Sequence, residues 1–140
     1  MNASISLSVR GSFAAIGRRT DILLERALDD AAGLVVRAAK DKVLSPPKSG
    51  RIYRRKGRTH QASAPGEPPA NDTGNLVQSI YRRKGVGKER QIVLKAEYAH
   101  VLEFGGRHVQ PRPFMRPAVT ENAEACGALY RKALIDGAGR

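Results

Sequence analysis

The chain has 140 residues, 41% hydrophobic and 27% charged, with 25 Lys and Arg against 13 Asp and Glu for a net charge of +12. A single domain of that size buries about 68% of its unfolded surface, so its core needs neither metal nor disulfide; the one cysteine, Cys126, excludes an internal disulfide and fits a reducing compartment. No apolar run approaches the roughly 20 residues of a membrane span, and the opening MNASISLSVRGSF lacks the basic start and apolar core of a secretory signal.

Ile5, Leu7 and Val9 alternate with polar residues up to Gly11, which predicts a short strand with one buried face. Leu24, Leu28, Ala31, Val35 and Ala39 then recur at spacings of three and four. They predict a helix from Thr20 to Leu44, capped by Thr20, with Asp21 in its first turn and Pro46 and Pro47 beyond its end. At 1.5 Å per residue it is about 37 Å long, against a radius of gyration of about 14 Å, so it spans the body.

Residues 45–72 show neither helical nor strand period and are rich in Pro, Gly and Ser. They carry Lys48, Arg51, Arg54, Arg55, Lys56 and Arg58 without an acid between Lys48 and His60. A connection this long inside a compact domain is usually functional or disordered. It reads as an extended basic arm that docks on an acidic protein surface or on nucleic acid.

A short helix is predicted from Thr73 to Ser79, capped by Asp72 or Thr73, with Leu76 and Ile80 facing inward. Two strands, Ile80 to Arg83 and Gln91 to Ala96, flank GVGKE and predict a β-hairpin with Ile92, Leu94 and Ala96 turned inward. Arg82, Arg83, Lys84, Lys88 and Arg90 give this hairpin a second basic cluster, against Glu89. Tyr98 to Phe104 predicts a helical turn closed by a left-handed Gly105, and His108 to Met115 an extended edge. A last helix is predicted to open at Pro117, with Val119, Ala123, Cys126, Leu129, Tyr130 and Ala133 on its apolar stripe and residues 136–140 fraying. The class is therefore α+β: two long helices packed on a small, mostly antiparallel sheet, with 1–140 as one domain and 45–72 as an arm within it.

Reactive chemistry is sparse. His60, His100, His108 and Cys126 match no compact zinc spacing. Ser63, His60 and Asp72 form a triad on paper only, since all three lie in the arm. Gly85-Val86-Gly87 lacks the helix that a phosphate-binding loop feeds. No catalytic, metal or cofactor-binding residue is assigned, and an enzyme is not expected. Glu103, between Leu102 and Phe104, reads as a carboxylate that accepts backbone N–H groups or pairs with Arg107 or Arg112; a subunit contact is its other reading. Tyr53 and Tyr81 stand beside basic clusters, which permits stacking on bases or cation–π contact.

Three segments, ASAPGEPPANDTGNLVQSI (62–80), YAHVLEFGG (98–106) and PRPFMRPA (111–118), carry a TG-x-L-x-x-S-I, a Y-A-x-x-x-E-F-G and a P-F-x-R-P-A pattern in that order. In this the chain resembles the tailed-bacteriophage tail-component family named after the tenth gene product of a lambdoid phage. Thr73, Gly74, Leu76 and Ile80 match the first pattern. Tyr98, Ala99, Glu103, Phe104 and Gly105 match the second, and Pro113, Phe114, Arg116, Pro117 and Ala118 the third. Gly106 stands where the family often has threonine. The resemblance implies a virion protein of the head–tail neck, acting in tail completion through subunit contacts and without catalysis. Its implied partners are neighbouring copies in a ring of six and adjacent neck or tail-tube proteins. The alternative is nonspecific DNA binding through the basic arm and hairpin.

Overall fold

Helical spacing of small and branched apolar residues builds the frame. In the computed structural model, which describes residues 3–8 (backbone only), 17–45 and 48–139, helix α1 (Arg18–Leu44) buries Leu24, Leu28, Ala31, Val35, Ala39 and Val43 along one face. Its neighbours Ala27, Ala32, Gly33 and Val36 are buried too, because two elements cover α1: the sheet and the C-terminal helix. Strand β1 (Ala3–Ser8) precedes α1, and β2 (Ile52–Arg55) and β3 (Arg58–Gln61) follow it. Then come α2 (Asn75–Ser79), β4 (Ile80–Lys84), β5 (Glu89–Leu94), α3 (Ala99–Phe104) and α4 (Met115–Gly137). The fold is α+β, with β1-β5-β4 as one antiparallel sheet and β2-β3 as a separate two-stranded ribbon.

The main core joins the C-terminal half of α1 to Leu76, Ile80, Ile92, Leu94, Ala99, Phe114, Met115 and Ala118. A smaller cluster ties the N-terminal half of α1, through Leu24 and Ala27, to Ala133. β5 is the central strand, pairing Ile92 with Ile5 on one side and Arg82 on the other. Val93, on the opposite face from Ile92 and Leu94, is also buried.

Several boundaries differ from the sequence reading. Thr20 does not cap α1: the helix starts at Arg18 after Gly17, and Thr20 is buried against Gly137, whose hypothetical Cβ would stand 2.7 Å from the Thr20 Cβ. α4 runs helical through Gly137, where the sequence predicts fraying from residue 136. Residues 45–72 do contain strands, β2 and β3. α2 is preceded by Gly74 at φ 83°, a left-handed conformation, so neither Asp72 nor Thr73 is its cap. Gly105 has positive φ but extended ψ (83°, 174°), which is not the expected left-handed helical cap. His108 to Met115 forms no strand: a single bridge joins Gly106 to Val109, and Met115 already belongs to α4. Pro117 is thus the third residue of α4, and Ala123 on its expected stripe is exposed. Val9, Gly11, Pro46, Pro47 and Arg140 lie outside the described residues.

Candidate functional site

Glu103 locks the joint between α3 and α4. Its side chain is buried at 5% exposure, and Oε2 accepts the backbone N–H groups of Phe114 (2.9 Å) and Met115 (3.0 Å). Oε1 accepts the N–H of Arg116 at 2.8 Å. The next residue, Pro117, has no N–H, so the donors that open α4 are all met. The negative charge also sits at the positive end of the helix dipole. Glu103 is therefore the acceptor of backbone hydrogens that the sequence suggests, while Arg107 and Arg112 make no ion pair with it. Arg112 instead donates its backbone N–H to the Leu102 carbonyl (2.6 Å) and its Nε–H to the Ser63 carbonyl (3.3 Å).

The three motif segments meet at this joint. Leu76, Ile80 and Phe114 anchor them in the core, Pro113 and Pro117 are half-buried, and Gly74 and Gly105 supply positive φ. Thr73, Tyr98, Phe104 and Arg116 face solvent. Phe104 is 64% exposed, and the Arg116 guanidinium lies 5.4 Å from its ring centroid, within cation–π reach. Tyr98 borders an open groove of about 340 Å³ shared with His60, Ser63, Asp72, Thr73 and Arg112. There His60 Nδ1 stands 3.9 Å from Asp72 Oδ1, beyond hydrogen-bond range.

The two basic clusters have different fates. The one on β4–β5 faces the acidic residues of α1. Arg82 grips Asp29 through two hydrogen bonds (Nε 3.2 Å, Nη2 2.8 Å), its guanidinium passing over Gly33. Arg90, only 8% exposed, reaches Asp29 Oδ1 at 3.3 Å and Glu25 Oε2 at 3.6 Å. Lys84 bonds Glu25 at 3.2 Å, and Lys88 bonds Asp21. The Arg82 hydrogen bond holds Asp29 below its usual range, and the Lys84 hydrogen bond does the same for Glu25. Arg83 donates to Gln91 at 2.9 Å. Four of the five cations thus pair with Asp21, Glu25 and Asp29 on α1, while Arg83 bonds the neutral amide of Gln91.

The cluster at 51–58 stays open. Every residue from Arg51 to Thr59 is exposed, Ile52 at 61% and Tyr53 at 50%. Arg51, Arg54, Arg55, Lys56 and Arg58 have no ion pair among the described residues. The ribbon turns at Lys56 and Gly57, both at positive φ (48° and 75°), as a type I′ turn requires. Its base is clamped. Glu67 accepts the Ser49 hydroxyl, the Ser49 N–H (3.0 Å) and the Ala64 N–H (2.8 Å). Those bonds, the Ser49 hydroxyl first, hold its carboxyl at about 2. The Gly66 N–H reaches the Pro111 carbonyl at 2.9 Å, tying the clamp to the Glu103 joint. Lys48 is spent on the base, donating to the Lys42 carbonyl at 2.9 Å, and burial lowers its pKa.

Sequence reasoning did not find the clamp or the ionic seam, whose partners lie far apart along the chain. Cys126, read as a small buried hydrophobe, is half-buried and lines an apolar cleft of about 350 Å³ between α1 and α4; burial pushes its thiol up. Among the described residues no helix is long and apolar enough to cross a membrane, and no group of three His, Cys, Asp or Glu is placed to hold a metal ion. Comparison of this chain with protein-family models, with curated proteins and with solved structures finds no match.

Proposed function

We propose that this chain is a structural subunit of a tailed-phage head–tail junction, working in tail completion or neck assembly through contacts between subunits and without catalysis. Several copies form a ring, six to match a tail tube, against an adjacent neck or tail-tube protein. The three ordered motif segments support this reading. The observation that carries it is the Phe104–Arg116 pair, held in the open on the joint that Glu103 locks. An exposed phenylalanine contributes nothing to this chain's own core. Aromatic and arginine side chains on a rigid mount are the residues that dominate binding energy at subunit interfaces. The joint fixes their direction, so docking loses little conformational entropy.

The test is a Phe104→Ala, Arg116→Ala double variant. It is expected to keep the thermal midpoint of the wild-type body, because neither side chain is in the core. Incorporation into rings or particle necks, read by sedimentation and negative-stain imaging, falls at least tenfold. Normal incorporation of a folded double variant overturns the reading.

A further inference from the structure

The ribbon's charge is distributed in a way that selects its partner. Side chains alternate across a strand, so Ile52 and Arg54 share one face with Thr59 and Gln61. Tyr53 and Arg55 share the other face with Arg58 and His60. Lys56 is at the tip and Arg51 at the base. Both faces and the tip are therefore cationic, and none of the five charges is paired with an acid among the described residues. Docking flat on an acidic protein surface uses one face and leaves the other idle. A body lying between two walls of phosphate uses both faces and the tip.

Dimensions agree with that geometry. Two strands about 4.8 Å apart, flanked by side chains, match a major groove about 12 Å wide. Four residues per strand reach about 13 Å, enough to enter it. Tyr53, Arg55 and Arg58 lie together, a group able to contact sugar and phosphate without reading base edges. A second copy of the chain is a poor acceptor. Asp21, Glu25 and Asp29 are already paired in the seam, Glu121, Glu124 and Asp136 pair with Lys42, Arg131 and Lys132, and Glu67 and Glu103 are taken up by backbone N–H groups.

We propose that the ribbon Arg51–Gln61 inserts into the major groove of double-stranded DNA and binds it through the phosphates, without sequence specificity. The inference rests on the ribbon alone and is independent of the assembly reading, which rests on the Phe104 joint.

The experiment is fluorescence anisotropy of the full-length protein on a short random-sequence duplex across a range of salt. Four phosphate contacts give a log–log slope of about −3.6. An Arg54→Gln, Arg55→Gln, Arg58→Gln variant is expected to bind at least a hundredfold more weakly at about 0.1 M salt, with the slope reduced to about −1. An Arg18→Gln, Arg26→Gln, Arg37→Gln control removes the same charge from α1 and is expected to lose less than about threefold, since distant charges are screened. Methyl green, a major-groove ligand, should compete, and netropsin, a minor-groove ligand, should not. Absence of binding at low salt, equal loss in the control, or competition by netropsin alone overturns the proposal. So does poly-glutamate displacing the duplex at equal charge, an outcome that assigns the ribbon to an acidic protein.

Discussion

Glu103 accepts three backbone hydrogen bonds, and the residue after the third donor is a proline that asks for none. Glu103→Ala therefore leaves three N–H groups at a buried helix start without an acceptor. The expected loss is about 3 kcal/mol or more by denaturant unfolding. Glu103→Gln keeps one acceptor oxygen but turns an amide toward the remaining donors, and is expected to lose about half as much. Glu67 plays a similar part at the ribbon base, but in water. Its folded pKa of about 2 lies below the ordinary 4.5, so its clamp is fully formed above pH 4.5 and is released as pH falls toward 2. Hydrogen-exchange protection at Ser49 and Ala64 should decline over that window, and the α1 amides should keep theirs. Glu67→Gln should show the weakened protection at neutral pH. Uniform loss across α1 in the same window would show that the clamp is not a local unit. The role of Glu103 could be read from its place between Leu102 and Phe104. The helix it caps could not, because Pro117 suggested a start two residues late.

The elements whose sequence period reflects burial were legible, and those without a buried face were not. α1 shows its apolar recurrence because Leu24, Leu28, Ala31, Val35 and Ala39 all enter the core. β4 and β5 were found from the glycines between them and the alternation around Ile92. The ribbon has no such pattern, since both faces of β2 and β3 meet solvent; its one signal was the Lys56-Gly57 pair between β-favouring Tyr53 and Thr59. The seam between α1 and the β4–β5 hairpin was hidden for another reason. Its charges are visible singly, but only the folded register brings Arg82 and Arg90 to Asp29. Asp29→Ala removes the acceptor shared by both arginines and leaves Arg90 buried beside Glu25 alone. The expected cost is about 1 kcal/mol, kept small by the 42% exposure of Asp29. In about 1 M salt the difference should shrink by half or more. Asp29 and Glu25 are both held below their ordinary values. Their contribution is thus present above the unfolded pKa values and disappears as pH falls through the folded ones. A cost unchanged by salt would place the effect in packing instead.

At the scale of the molecule, the body and the ribbon are separable in stability. The body is held by two apolar clusters along α1, whereas β2 and β3 contact chiefly each other. A lone two-stranded hairpin is marginal in water, so this one persists because its base is pinned through Glu67 and Gly66. The chain closes tightly there: a Cβ on Gly50 would stand 2.6 Å from the Ala62 carbonyl oxygen. Replacing Arg51–Gln61 by a short Gly-Ser link between Gly50 and Ala62 should therefore leave the core intact. The variant loses five cations, taking the net charge from +12 to +7. Its denaturant-unfolding free energy should stay within about 0.5 kcal/mol of the parent, as for surface changes outside the core. If the ribbon carries the DNA contact and the Phe104 joint carries the subunit contact, this variant forms rings but releases the duplex. The Phe104→Ala, Arg116→Ala variant does the reverse. Joint loss of both properties in the ribbon deletion, with the body still folded, would mean that the ribbon itself lies in the subunit interface.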